Sequence, residues 1–178
     1  MKKGIAFAIV ISSWLNAFSQ NVGIGTTAPK ARLHLTDSSV VFSAADPLLA
    51  IPGNPPLSGA GARMMWYAGK AAFRTGFVDA AQWNKDNIGH FSFASGYSTL
   101  ANNLYTTAMG RNTTASGTAA TALGYFTIAS GSNSTSLGSY SQATGSEATA
   151  MNSNTIASGF ASTFMGFATI AKGDFSVA

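Results

Sequence analysis

The sequence predicts an all-β protein whose C-terminal half is a parallel β-solenoid wound in fourteen-residue coils. Three observations carry this: a Gly or Asn at every seventh position, a small residue two places before each, and an outward pattern that repeats only every fourteen. The first series is Gly89, Gly96, Asn103, Gly110, Gly117, Gly124, Gly131, Gly138, Gly145, Asn152, Gly159, Gly166 and Gly173. Gly and Asn adopt positive φ most readily, so the spacing predicts a left-handed turn residue at each of these positions. A coiled coil is excluded, because its heptads need apolar a and d positions and helix formers rather than a recurring glycine.

The second series is Ala94, Ala101, Ala108, Ala115, Ala122, Ala129, Ser136, Ala143, Ala150, Ala157 and Ala171, with Phe164 the one large member. A position held this small faces a confined space. Immediately before each turn residue the chain alternates, Met109, Ser116, Leu123, Ser130, Leu137, Thr144, Met151, Ser158, Met165, which doubles the period. Side chains in a strand alternate faces. The Ala and Ser/Thr positions therefore line a narrow lumen, while the Thr/Ile and Met/Leu/Ser positions point outward. Like residues stack on like at about 4.8 Å per coil, and roughly six and a half coils make a rod on the order of 30 Å long.

Such a lumen buries little apolar area against about 1–2 kcal/mol of backbone entropy per residue. The outer ladder of Met109, Leu123, Ile128, Leu137, Met151, Ile156, Met165 and Ile170 must then be covered as well. Another copy of the chain is the simplest cover, so a closed homo-oligomer is expected with this ladder at its core.

Composition narrows the class. Only 9% of the 178 residues are charged, 46% are hydrophobic, and there is no cysteine. Disorder goes with high net charge and few apolar residues, so order by repetition fits better. The net charge of +4 is scattered, not clustered as a nucleic-acid footprint would be.

Residues 1–19 read as a secretory signal: Lys2 and Lys3 precede a short apolar run from Gly4 to Leu15, and Ala17-Phe18-Ser19 offers small residues for cleavage. A transmembrane anchor would need about 20 apolar residues, and Ser12, Ser13 and Asn16 interrupt this run. An N-terminal segment over 20–45 contains a short alternating strand, Arg32 to Leu35. Gly23, Gly25 and Ala28 match a dinucleotide-binding spacing by accident, since no buried strand precedes them and Pro29 follows. Residues 46–62, with Pro47, Pro52, Pro55 and Pro56, form a Pro/Gly-rich connector that reads as a boundary. Over 63–87, Arg63 to Tyr67 and Lys70 to Arg74 flank Ala68-Gly69 as a hairpin would, with Trp66, Tyr67, Phe73 and Trp83 capping the end of the solenoid over 88–178.

The repeats resemble the head repeats of the YadA-like trimeric autotransporter adhesins. The resemblance rests on Tyr105-Thr106-Thr107-Ala108-Met109-Gly110, Ala119-Ala120-Thr121-Ala122-Leu123-Gly124 and Ser134-Thr135-Ser136-Leu137-Gly138, interleaved with Asn112 to Gly117 and Phe126 to Gly131. It implies a left-handed parallel β-roll, a homotrimer, and the larger aliphatic residues at the trimer core. Val22 to Thr26 and Met64 to Tyr67 resemble, more weakly, segments that precede such repeats in secreted, tail-fibre-like bacterial proteins. The resemblance covers about residues 88–178 as head repeats, and it does not extend to the coiled-coil stalk or β-barrel anchor of a complete member of that family.

The function expected is that of an exported, cell-surface, adhesin-like structural protein. Its expected ligands are extracellular matrix, glycan or another cell, with no cofactor, metal, nucleic acid or small-molecule substrate. An ice- or crystal-binding solenoid is the alternative, on the Ser/Thr ladder of Thr99, Thr106, Thr113, Thr127, Thr155 and Thr169. Catalysis is not expected, because His90, Glu147 and Asp174 lie too far apart along the rod to share one coil. Asn112-Thr113-Thr114 and Asn133-Ser134-Thr135 match the glycosylation pattern by chance.

Overall fold

The computed structural model describes residues 22–24, 26–37, 39–44, 48 and 50–178. The expected signal segment 1–19 lies outside the described residues, as do Gln20, Asn21, Gly25, Ser38, Ala45, Asp46, Pro47 and Leu49. The chain forms two compact units, Met1–Val41 and Phe42–Ala178. In the first, β1 (Val22–Ile24) and β2 (Leu33–Leu35) pair in parallel, with Val22 opposite Leu33.

The second unit opens with an antiparallel hairpin of β3 (Gly61–Tyr67) and β4 (Ala72–Val78) around a 3-10 turn, Ala68–Lys70. The connector folds onto this hairpin instead of standing apart from it. Pro52 and Pro55 are buried, the Tyr67 hydroxyl donates to the Gly53 carbonyl, and Gly59 N–H donates to Asn84 Oδ1 at 2.7 Å.

Six long strands follow: β5 (Phe93–Tyr97), β7 (Thr107–Arg111), β9 (Thr121–Tyr125), β11 (Thr135–Ser139), β13 (Thr149–Ser153) and β15 (Thr163–Phe167). Six short ones alternate with them: β6 (Leu100–Ala101), β8 (Thr114–Ala115), β10 (Ile128–Ala129), β12 (Gln142–Ala143), β14 (Ile156–Ala157) and β16 (Ile170–Ala171). Within each series successive strands pair in parallel at an offset of fourteen residues, as in Thr135 opposite Thr121 and Thr149. One long and one short strand make each coil, and the result is the parallel β-solenoid that the repeat predicts. The hairpin joins the long sheet through β4, which pairs with β5, so this sheet has eight strands and the short sheet six.

The two sheets face each other across a lumen of small side chains. Ala94, Ala101, Ala108, Ala115, Ala122, Ala129, Ala143, Ala150 and Ala157 are fully buried, as are Thr99, Thr106, Thr113, Thr127 and Thr155. Ser136 Oγ reaches across to the Ser141 carbonyl and hydroxyl, both at 2.9 Å. The lumen is stoppered at both ends by large residues in the small column. Phe164 is buried in register with Ala150 at one end. At the other, Arg74 is fully buried in register with Ala94. Its guanidinium donates to the carbonyls of Phe73, Ser92 and Ala101 and to Ser92 Oγ, at 2.7–2.9 Å. Burial pulls its pKa down to about 10, so the group keeps its charge at neutral pH. Trp83, also fully buried, donates from Nε1 to the Thr99 carbonyl at 2.9 Å. The buried ring serves the packing expected of a cap.

The glycine series divides in two. Gly96, Gly110, Gly124, Gly138 and Gly166 have φ of 109–126° and sit inside the long strands, not at turns, and Asn152 takes their place with φ 80°. Gly89, Gly117, Gly131, Gly145, Gly159 and Gly173, with Asn103, lie outside the left-handed region and open tight turns, as in Ala120 N–H to the Gly117 carbonyl at 3.1 Å. The positive φ expected at every one of these positions is thus found at the strand set and not at the turn set, and in each heptad a further left-handed residue falls two places later. It is Phe91, Ser98, Tyr105, Asn112, Ala119, Phe126, Asn133, Tyr140, Glu147, Asn154, Ala161, Ala168 or Phe175, with φ of 49–61°. Positive φ explains the glycines in the strands; close coil contact explains those at the turns.

A left-handed L-residue costs roughly 1–2 kcal/mol, most of which glycine avoids. Ala161, with φ 49°, carries that cost. Ala161→Gly should therefore stabilise the roll by about 0.5–1 kcal/mol after the added freedom of the unfolded chain is counted. Thermal melting checks this, and an unchanged or lower midpoint would mean that the corner is not under strain.

Candidate functional site

With small residues inside, the distinctive chemistry of the roll lies on its surface. The outer face of the long sheet carries Met109, Leu123, Leu137, Met151 and Met165 in one continuous register. Thr107, Thr121, Thr135, Thr149 and Thr163 form a second register beside them. Leu100, Thr114, Ile128, Gln142, Ile156 and Ile170 form a column on the short sheet. The eight residues expected to make one ladder thus belong to two, because the inward faces of the sheets oppose and their outward faces point apart. In the isolated chain Leu123, Ile128, Leu137, Met151 and Ile156 are half-buried, and Met109, Met165 and Ile170 are exposed.

Where the long strand bends into the short one, a third column appears that the glycine count alone does not reveal. Phe77, Tyr97, Arg111 and Tyr125 occupy the last shared register of β4, β5, β7 and β9. Phe126 and Tyr140 stand beside them at left-handed corners. Phe77 stacks on Tyr97 at 5.3 Å, and Phe126 on Tyr140 at 5.3 Å. The Arg111 guanidinium lies between two phenol rings, 5.3 Å from Tyr97 and 5.7 Å from Tyr125. All six side chains are exposed. Tyr140 has its pKa raised, first by hydrogen bonding with Tyr125, then by partial desolvation. The signal for this column is present in the sequence: aromatic or Arg residues stand one and two places after several of the glycines.

The three side chains weighed as catalytic candidates serve local geometry. His90 packs obliquely on Phe91, Glu147 occupies a left-handed corner, and Asp174 Oδ1 accepts the Phe160 N–H at 2.8 Å. The Ser/Thr ladder considered for ice contact lies inside the lumen from Thr99 to Thr155, which removes it as a crystal-facing surface. Its strand-side members Thr99, Thr113, Thr127 and Thr155 have no partner for Oγ1. The turn-side hydroxyls of Thr106, Ser134 and Ser162 donate to the carbonyl three residues back. Among the described residues no helix is long and apolar enough to cross a membrane.

Among curated proteins, none matches the chain. The YadA head domain repeat matches it in two copies, over residues 101–127 and 129–151. Those residues span β7 to β13, in which each coil has a glycine or asparagine in its long strand and another at its turn, and a lumen of Ala, Ser and Thr. Residues 101–127 and 129–151 of this chain are thus similar to YadA head domain repeats, and they are wound as a β-solenoid.

Proposed function

We propose that this is a non-enzymatic, exported surface protein whose roll assembles as a homotrimer and presents a repetitive surface for attachment to matrix, glycan or another cell. The observation that carries the reading is the pair of aliphatic columns on opposite outer faces of one roll. One face can pack on the unlike face of a neighbour, and a ring of such contacts closes without leaving either column in water. The YadA-type repeats favour three chains in that ring. Export rests on the residues of segment 1–19, and display on the kinship of the repeats with surface adhesins. Attachment through an extended surface suits weak contacts repeated along a rod and multiplied by three chains.

Sedimentation of residues 20–178 tests the assembly. A single species of three chain masses, holding together on dilution, is expected. A folded species of one chain mass would overturn it.

A further inference from the structure

We infer that the corner column of Tyr97, Arg111, Tyr125, Phe126 and Tyr140 binds an extended acidic polysaccharide lying along the rod. The inference rests on the attachment reading above and gives it a ligand chemistry. Arg111 and Lys172 are the only Lys or Arg residues in the repeat region, 88–178. Arg111 stands in the middle of the column with its partners on either side being phenol rings, not carboxylates. An exposed guanidinium without a carboxylate keeps its N–H groups free for an anion, and it holds a carboxylate or sulfate with directed hydrogen bonds. At the capped end of the column the Asp79 carboxylate is already engaged by Ser98 Oγ and Gln82 Nε2, each at 2.7 Å. Those hydrogen bonds, Ser98 first, hold its pKa below the usual carboxylate range.

Phe77 stacks on Tyr97 and Phe126 on Tyr140, while Tyr125 meets Phe126 and Tyr140 edge-on, so the exposed column presents ring edges as well as faces. Phenol edges beside a guanidinium offer both hydrogen-bond donors and apolar contact to a sugar ring. The column advances about 4.8 Å per coil, a step close to the length of one pyranose unit, so successive sugars can meet successive coils. A groove is not required for a ligand of this shape. Three rolls would present three such columns and raise avidity.

The test uses the chain 20–178 in its native assembly, with immobilised heparin, hyaluronate and uncharged dextran as probes. Binding to at least one acidic polymer, weakening as salt rises, and none to dextran is expected. Arg111→Gln should lower the apparent affinity at least tenfold while sedimentation and thermal melting stay as in the parent. Tyr125→Ser with Tyr140→Ser should do the same, and Lys172→Gln should not. Equal binding by Arg111→Gln, or equal binding to dextran, would overturn the inference. Surfaces coated with matrix protein separate it from the broader reading: adhesion there without polysaccharide binding sinks the acidic-glycan site alone, whereas adhesion to neither sinks both.

Discussion

Replacing Gly131 by Ala is expected to unfold the roll around it, at a cost of about 4 kcal/mol or more. The reason is not φ, since Gly131 lies outside the left-handed region. A Cβ there would sit 1.8 Å from the Gly145 carbonyl oxygen, 2.4 Å from its carbon and 2.9 Å from Ser146 N, all backbone atoms of the next coil. Coils hydrogen-bonded in strict register cannot open locally to admit a methyl group, because neighbouring ladders hold them together. Gly173→Ala is the matched control. Its Cβ would meet only the Ser176 side chain, at 3.7 Å, so it should melt within about 0.5 kcal/mol of the parent. Denaturant unfolding followed by circular dichroism separates the two, and equal stability of both variants would refute coil contact as the reason for turn glycines.

Leu137→Glu and Ile156→Glu should each break the assembly. In the isolated roll both side chains reach solvent, so a carboxylate there costs a single chain little. Between two rolls it would be a buried, unpaired charge, costing about 3–5 kcal/mol at each contact. Sedimentation at micromolar concentration should show loss of the three-chain species for both variants, while Ser130→Glu, at an exposed turn, should leave it intact. Dissociation by Leu137→Glu alone would mean that only the long-sheet face is covered. Retention of the parent mass by both would remove the face-to-face ring.

Most of the solenoid was legible because each coil repeats the same one-dimensional demands. The small column could be read as a lumen, since any residue larger than Thr inside a coil would force the two sheets apart; the exceptions, Arg74 and Phe164, fall at its ends. Positive φ holds at only about half of the glycine series because two different constraints select glycine. Positive φ at Gly124 and carbonyl crowding at Gly131 leave the same letter in the sequence. Phe126 and Tyr140, which do adopt the left-handed conformation, are residues that propensity argues against. There, the hydrogen bond of each corner N–H to the preceding coil, as in Tyr140 N–H to the Tyr125 carbonyl at 2.8 Å, outweighs the local preference.

By itself, then, the sequence determined the period, the lumen and the stacking of like on like, because these depend only on which residues recur at a fixed interval. The tertiary structure alone decided that Leu137 and Ile156 lie on separate faces and that the stacked column of Tyr97, Arg111 and Tyr125 stands where the coil bends. Both outcomes depend on where within the fourteen residues the chain bends. That bend is set by closing two unequal strands around one narrow core, a condition on the whole coil that no single position records.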